Sequence, residues 1–122
     1  MSGILVIDND PLVRSTLRAV LERDGHQVHE ASNGIQGVRD FPRYSPDLVI
    51  TDIVMPGKDG LDTIRELLGL LPCLKIIAMT GSDPDNRHGY LKLAGDLGAA
   101  RTFSKPFDVK ALTEAVRELL SG

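Results

Sequence analysis

The sequence predicts an α/β fold: five β–α units in succession, a (βα)5 chain whose strands form one parallel sheet with helices on both faces. Three observations carry this. The runs Ile4–Ile7, Leu48–Ile50 and Ile76–Met79 are continuously apolar, which suits central strands covered on both sides. Segments with apolar residues three and four apart separate the runs, as amphipathic helices require. No Gly/Ser/Pro-rich linker or self-similar repeat interrupts the alternation.

Each element has its own signal. After the first run, Asp10-Pro11 reads as an N-cap followed by proline at the first helical position, with Val13, Leu17, Val20 and Leu21 on one face and Asp24-Gly25 as the stop. His26–Glu30 is a weaker, more polar strand of the kind found at sheet edges. Ser32 opens a short second helix carrying Ile35 and Val38, bounded by Pro42. The third helix has Leu61, Ile64, Leu67, Leu68 and Leu71 as its stripe. The fourth, expected from near Pro84 to Leu97, is weakened by Gly89 and Gly95. Ala99–Phe103 is the other edge strand, and Asp108 caps a last helix that buries Leu112, Ala115, Val116 and Leu119.

The length of 122 residues fits one domain, 1–122. Hydrophobic content of 42% and charged content of 25% match an ordinary globular protein. A net charge of −3 with scattered Lys and Arg argues against direct nucleic-acid binding. Cys73 is the single cysteine, so an intramolecular disulfide and a Cys-based metal site are excluded; it is expected to be a small buried or half-buried apolar residue. No stretch has the length of a signal peptide's apolar core or a membrane span, so no membrane partner is expected and cytoplasmic residence is the default.

Four polar residues lie at the ends of strand-like runs: Asp8, Asp52, Thr80 and Lys105. Ligands of open parallel sheets bind outside the carboxyl ends of the strands. If the strand order is 2-1-3-4-5, the topological switch point lies between the first and third strands, which end at Asp8 and Asp52. Close carboxylates call for a small hard cation, and Mg2+ takes one or two carboxylates and keeps several waters. Asp8, Asp10 and Asp52 are the candidate anionic ligands, with Asn9 a neutral oxygen donor. Asp52 can also act as nucleophile, since carboxylates form aspartyl-phosphates. Lys105 and the Thr80 hydroxyl suit the equatorial oxygens of a transferring phosphoryl group.

Ile4-Leu5-Val6-Ile7-Asp8-Asn9-Asp10, Asp52-Ile53-Val54-Met55-Pro56-Gly57 with Asp59-Gly60, Met79-Thr80-Gly81 and Lys105-Pro106-Phe107 together resemble the receiver domain of two-component response regulators, in order and along the whole chain. The resemblance implies the flavodoxin-like sheet order 2-1-3-4-5. It implies that Asp52 accepts a phosphoryl group from a histidine kinase or histidine phosphotransfer protein, without the chain being an enzyme beyond self-phosphorylation and autodephosphorylation. Mg2+ would be held by Asp8, Asp52 and the backbone carbonyl of Val54. Lys105 would contact the acceptor or its phosphate. Thr80 would swing to the phosphoryl oxygen and alter the face formed by the fourth helix, fifth strand and fifth helix, where an effector domain or protein binds or a phosphorylation-dependent dimer forms. The Lys105-Pro106 bond would be cis.

Two positions depart from the family pattern. The second of its paired acidic residues is here Asn9, which brings no charge, and Asp10 has a competing role as helix cap. The position three before the lysine, often aromatic, is Thr102, so a threonine-to-aromatic relay does not carry over, and Phe103 points to the opposite face. Two other readings compete. A pseudo-receiver would use the same fold as a docking module with weakened metal binding. A phosphatase of the haloacid-dehalogenase type would use Asp8 as nucleophile and Asp10 as acid–base, but leaves Asp52 unexplained and lacks an acidic pair after Lys105. His26 and His29 fall on opposite strand faces and share no metal, and His88 is a surface residue of the fourth helix.

Overall fold

A computed structural model of the protein describes residues 2–55, 59–81 and 89–121. In chain order these form β1 (Gly3–Ile7), α1 (Pro11–Arg23), β2 (Gln27–Ala31), α2 (Gly34–Tyr44), β3 (Leu48–Asp52), α3 (Gly60–Leu70), β4 (Lys75–Thr80), α4 (Tyr90–Leu97), β5 (Arg101–Ser104) and α5 (Val109–Ser121). All four strand pairings are parallel and the order is β2-β1-β3-β4-β5, as the sequence predicts.

Side chains alternate along each strand and so divide between two core layers. Ile4, Val6, Leu48, Ile50, Ile77 and Met79 pack with Leu17 and Leu21 of α1 and Leu112, Ala115 and Val116 of α5. Leu5, Ile7, Val49, Ile76 and Ala78 pack on the other side with Phe41 of α2, Ile64 and Leu67 of α3 and Ala94 of α4. The three central strands contribute no exposed residue, which is why they read as unbroken apolar runs. The edge strands are the polar ones, and β5 has no fully buried residue.

Helix boundaries follow local chemistry. The Asp10 carboxylate accepts from Leu12 N at 2.9 Å with Pro11 at the first helical position, and Asp24 closes α1. In α5 the Asp108 carboxylate accepts from Lys110 N at 2.9 Å. In α2 the expectation shifts. Asn33, not Ser32, is the cap, accepting from Gln36 N at 2.8 Å, while the Gln36 side chain reaches back to Ser32 N at 2.6 Å. This is a capping box displaced by one residue. Pro42 does not bound the helix but lies inside its last turn; α2 runs two residues further and ends where Ser45 turns left-handed at φ 45°.

Other expectations are corrected. Ile35 faces solvent at 61% exposure, because α2 packs through Gly34, Gly37 and Phe41. A Cβ on Gly37 would lie 2.4 Å from Ile7 Cδ1, so glycine there lets α2 sit against β1. β2 and β5 begin one and two residues later than expected, and His26 precedes its strand. His29 stacks on Tyr44 with ring centroids 3.9 Å apart. Cys73 is exposed, in the turn between α3 and β4. The expected start of the fourth helix near Pro84, His88, and the Pro56-Gly57 part of the third-strand motif lie outside the described residues. No helix among the described residues is long and apolar enough to cross a membrane.

Candidate functional site

The same alternation that sorts the core builds the site. Asp52 shares the parity of Leu48 and Ile50, and Asp8 that of Ile4 and Val6, so both point toward the α1/α5 layer at the strand ends. Phe103 belongs to that layer too, and Lys105 continues its parity from β5. Thr80 has the opposite parity, that of Ile76 and Ala78, on the layer that contains α4. Asp52 and Thr80 are the last residues of their strands, whereas Asp8 and Lys105 lie one residue beyond theirs.

Side-chain contacts join Asp8, Asp52 and Lys105 in one largely buried corner, and Thr80 is tied to it through its backbone carbonyl. Asp8 is fully buried, Asp52 is 5% exposed and Thr80 is 4% exposed. The Lys105 ammonium reaches over both carboxylates, 2.6 Å from Asp8 Oδ2 and 3.4 Å from Asp52 Oδ2. Its backbone is seated by Lys105 N–H donating to Thr80 O at 2.8 Å, and the Lys105-Pro106 peptide is cis. Burial pushes the Asp52 pKa above the ordinary carboxylate range; Lys105 pulls it down and the Asp8 charge adds to the rise.

Two polar atoms are buried without a partner here, Asp52 Oδ1 and Thr80 Oγ1. Buried polar atoms are seldom left so, and an unmatched pair at a strand-end crevice points to a ligand that completes it. The charges agree: among the described residues, two carboxylates share one ammonium, an excess of one negative charge. Oxygen donors with surplus negative charge and an open carboxylate oxygen fit a small hard cation. Among the described residues no three His, Cys, Asp or Glu side chains gather at one point, so Asp10 does not join Asp8 and Asp52 in a three-carboxylate cluster. Asp10 is exposed and occupied as cap, Asn9 is exposed, and Val54 lies exposed two residues past Asp52. Thr102 is exposed on β5, while Phe103 turns inward on the other face.

Two contributors have roles that the sequence does not reveal, although Gly60 is part of the Asp59-Gly60 motif. Gly60, the first residue of α3, donates its N–H to Ile53 O at 2.7 Å, and a Cβ on it would lie 2.1 Å from Asp52 O. Only glycine lets α3 approach the Asp52–Ile53 backbone this closely. Arg14 of α1 donates to Asp8 O at 2.6 Å. No sequence sign marks its role; in the structure Arg14 and Arg18, one turn apart on α1, both pair with Glu30 of β2.

The family model described as response regulator receiver domain matches residues 4–117. Sporulation initiation phosphotransferase F of Bacillus subtilis is 31% identical over 96% of this chain and 92% of its own. The DNA-binding transcriptional regulator NtrC of Azospirillum brasilense is 36% identical over 98% of this chain, which corresponds to 24% of its own length. A response regulator receiver domain protein from Clostridium thermocellum superposes with a TM-score of 0.89 at 32% identity, covering 99% of this chain and 95% of that one. The chain belongs to the response regulator receiver domain family.

Proposed function

We propose that the chain is a phosphorylation-dependent signalling receiver in which Asp52 takes a phosphoryl group from a histidine kinase or histidine phosphotransfer protein. The observation that carries this reading is the buried Asp52 Oδ1 without a partner, with the Lys105 ammonium 3.4 Å from the second carboxylate oxygen and the equally unpartnered Thr80 hydroxyl at the end of the neighbouring strand β4. Asp52 in its ionised form attacks the phosphorus of a phosphohistidine. The new P–O bond forms as the P–N bond breaks, and its electron pair leaves on the imidazole nitrogen. Lys105 keeps Asp52 ionised against the cost of burial and neutralises the added phosphoryl charge. Thr80, from the opposite sheet face, donates its hydroxyl to a phosphoryl oxygen and draws the start of the α4 segment toward the site. The α4–β5–α5 face is the output surface, toward an effector domain or protein or a second copy.

Asp8, Asp52 and the Val54 carbonyl would hold Mg2+, with Asn9 as a further neutral oxygen donor, while Asp10 stays engaged as the cap of α1. When bound, it supplies positive charge to the oxygens of the transferring group. The carboxylate pair and the open Asp52 oxygen support that assignment. Beside Lys105 lies an apolar groove of about 250 Å3 lined by Leu12, Val13, Thr16, Pro106, Phe107 and Val109. Leu12 is 71% exposed and Val109 40%. This is suitable surface for a phosphodonor protein that must bring its histidine to Asp52. The name phosphotransferase in one relative and transcriptional regulator in another agree with a receiver that either relays phosphate or governs an attached output.

The test is incubation with acetyl phosphate and MgCl2 followed by intact mass. A labile adduct of one phosphoryl group, lost in Asp52→Ala and abolished by chelator, is expected. An adduct that survives Asp52→Ala but is lost in Asp8→Asn would instead indicate dehalogenase-type chemistry. No adduct at any Mg2+ concentration would indicate a pseudo-receiver, the reading that Asn9 favours.

A further inference from the structure

We propose that Arg14 is a positioning residue for the cation-binding corner, fixing the Asp8–Asn9 peptide through a clamp that Glu30 completes. The inference rests on the receiver reading above and adds to it a residue outside the receiver motifs.

Every polar group of Asp8 has a partner. Its N–H donates to Ala31 O at 3.1 Å, Oδ1 accepts from Asp10 N at 2.9 Å and Oδ2 accepts from Lys105 Nζ at 2.6 Å. The carbonyl oxygen is the fourth, and a guanidinium takes it: Arg14 Nη1 donates to it at 2.6 Å. Arg14 is itself oriented. Its Nε donates to Glu30 Oε1 at 3.1 Å, and Arg18 Nε donates to the other oxygen, Glu30 Oε2, at 2.7 Å. The Arg14 side chain is only 18% exposed and Glu30 29%, so this is not a solvated surface pair of small effect.

A peptide unit is planar, so holding the Asp8 oxygen also sets the direction of the Asn9 N–H and the point from which the Asn9 side chain departs. This matters more here than where a second carboxylate follows Asp8. A charged neighbour attracts a cation from many orientations, whereas the neutral Asn9 amide contributes only when it is aimed. The Glu30–Arg14–Asp8 clamp supplies that aim.

The sign of the effect separates this role from simple charge. Arg14 is a cation beside a cation site, so removing its charge would by electrostatics alone tighten Mg2+ binding. Positioning predicts the reverse. Lysine keeps the charge but lacks the planar fork that serves Glu30 and the Asp8 carbonyl together, so it does not restore the clamp.

The experiment is calorimetric titration of MgCl2 into the whole chain, wild type beside Arg14→Gln, Arg14→Lys and the control Arg18→Gln. Loss of such an outer partner weakens metal affinity on the order of tenfold, expected for both Arg14 variants, with Arg18→Gln close to wild type. In metal-free protein the Asp10 amide, bonded to Asp8 Oδ1, should exchange with deuterium faster in the Arg14 variants, while β3 amides exchange as in wild type. Where Arg14→Gln fails to fold, Arg14→Lys carries the test. Arg14 variants that bind Mg2+ as tightly as wild type or tighter, or leave Asp10 exchange unchanged, overturn the positioning role alone. A wild type that binds no Mg2+ and takes no phosphoryl label overturns the receiver reading and this inference with it.

Discussion

Gly60→Ala and Gly69→Ala make the same chemical change in the same helix and should have opposite signs. A Cβ at Gly60 would lie 2.1 Å from Asp52 O, 2.5 Å from Ile53 Cα and 2.9 Å from Asp52 C, all backbone at the end of β3 and just beyond it. Carbon atoms pack at roughly 3.5 Å, so α3 and the end of β3 must separate by on the order of 1 Å. Overpacking of this kind costs about 1–3 kcal/mol. The shift also stretches the 2.7 Å bond from Gly60 N to Ile53 O, a further loss of about 1 kcal/mol. Against this stands the gain of about 0.4–1 kcal/mol from a less flexible unfolded chain. The net is a destabilisation of about 2–3 kcal/mol, or roughly 6–12 °C in Tm for a domain of this size. Around Gly69 nothing lies within 4 Å, so only the gain remains, and Gly69→Ala should raise Tm by about 2–4 °C. Urea and thermal melts followed by circular dichroism measure both. Phosphoryl labelling should also slow in Gly60→Ala, because the Asp52 peptide is displaced. Equal, small effects at the two positions would refute the claim that glycine at 60 is required by close approach to Asp52.

Further outcomes follow from the same contacts. Asp52 has a folded-state pKa raised by burial, so the native state holds its proton more tightly than the unfolded one, and the charged form at neutral pH costs stability. Asp52→Asn should therefore be more stable than wild type at pH 7, and the difference should shrink as pH falls through the raised folded-state pKa toward the ordinary carboxylate range; urea midpoints across pH check this. Lys105→Met leaves Asp8 Oδ2 without its 2.6 Å partner and two carboxylates facing each other, a loss of about 3 kcal/mol or more that Mg2+ should partly restore in a thermal melt. Native Cys73 should react with an aromatic disulfide reagent at nearly the rate of the urea-unfolded chain, because it is exposed.

The sheet was legible because its central strands are buried on both faces and need apolar residues throughout. The edges were less so: β2 and β5 carry mixed residues, and their starts moved by one and two positions. α2 misled most. Its buried face is made of Gly34, Gly37 and Phe41, and hydropathy cannot show that a missing side chain is what packs. Ile35 looked like core for the same reason. Cys73 looked small and apolar, but the turn it occupies leaves it in solvent.

Site residues were legible where strand ends deliver them, since a polar residue closing an apolar run stands out. Asp8, Asp52 and Lys105 meet through their side chains and Thr80 through its backbone, and parity along the strands explains why three face one layer and Thr80 the other. The supports were not legible. Arg14 and Glu30 are separated in sequence and meet only when α1 lies over β2, and Gly60 reveals its purpose only through the backbone it touches.

The most direct test of the account is to locate the phosphoryl group. Labelling with acetyl phosphate and Mg2+, reduction of the acyl phosphate with borohydride and sequencing of the peptides by mass spectrometry should find homoserine at position 52 and no other reduced aspartate. Homoserine at position 8 or 10, or an adduct spread over surface carboxylates and unaffected by Asp52→Ala, would contradict it.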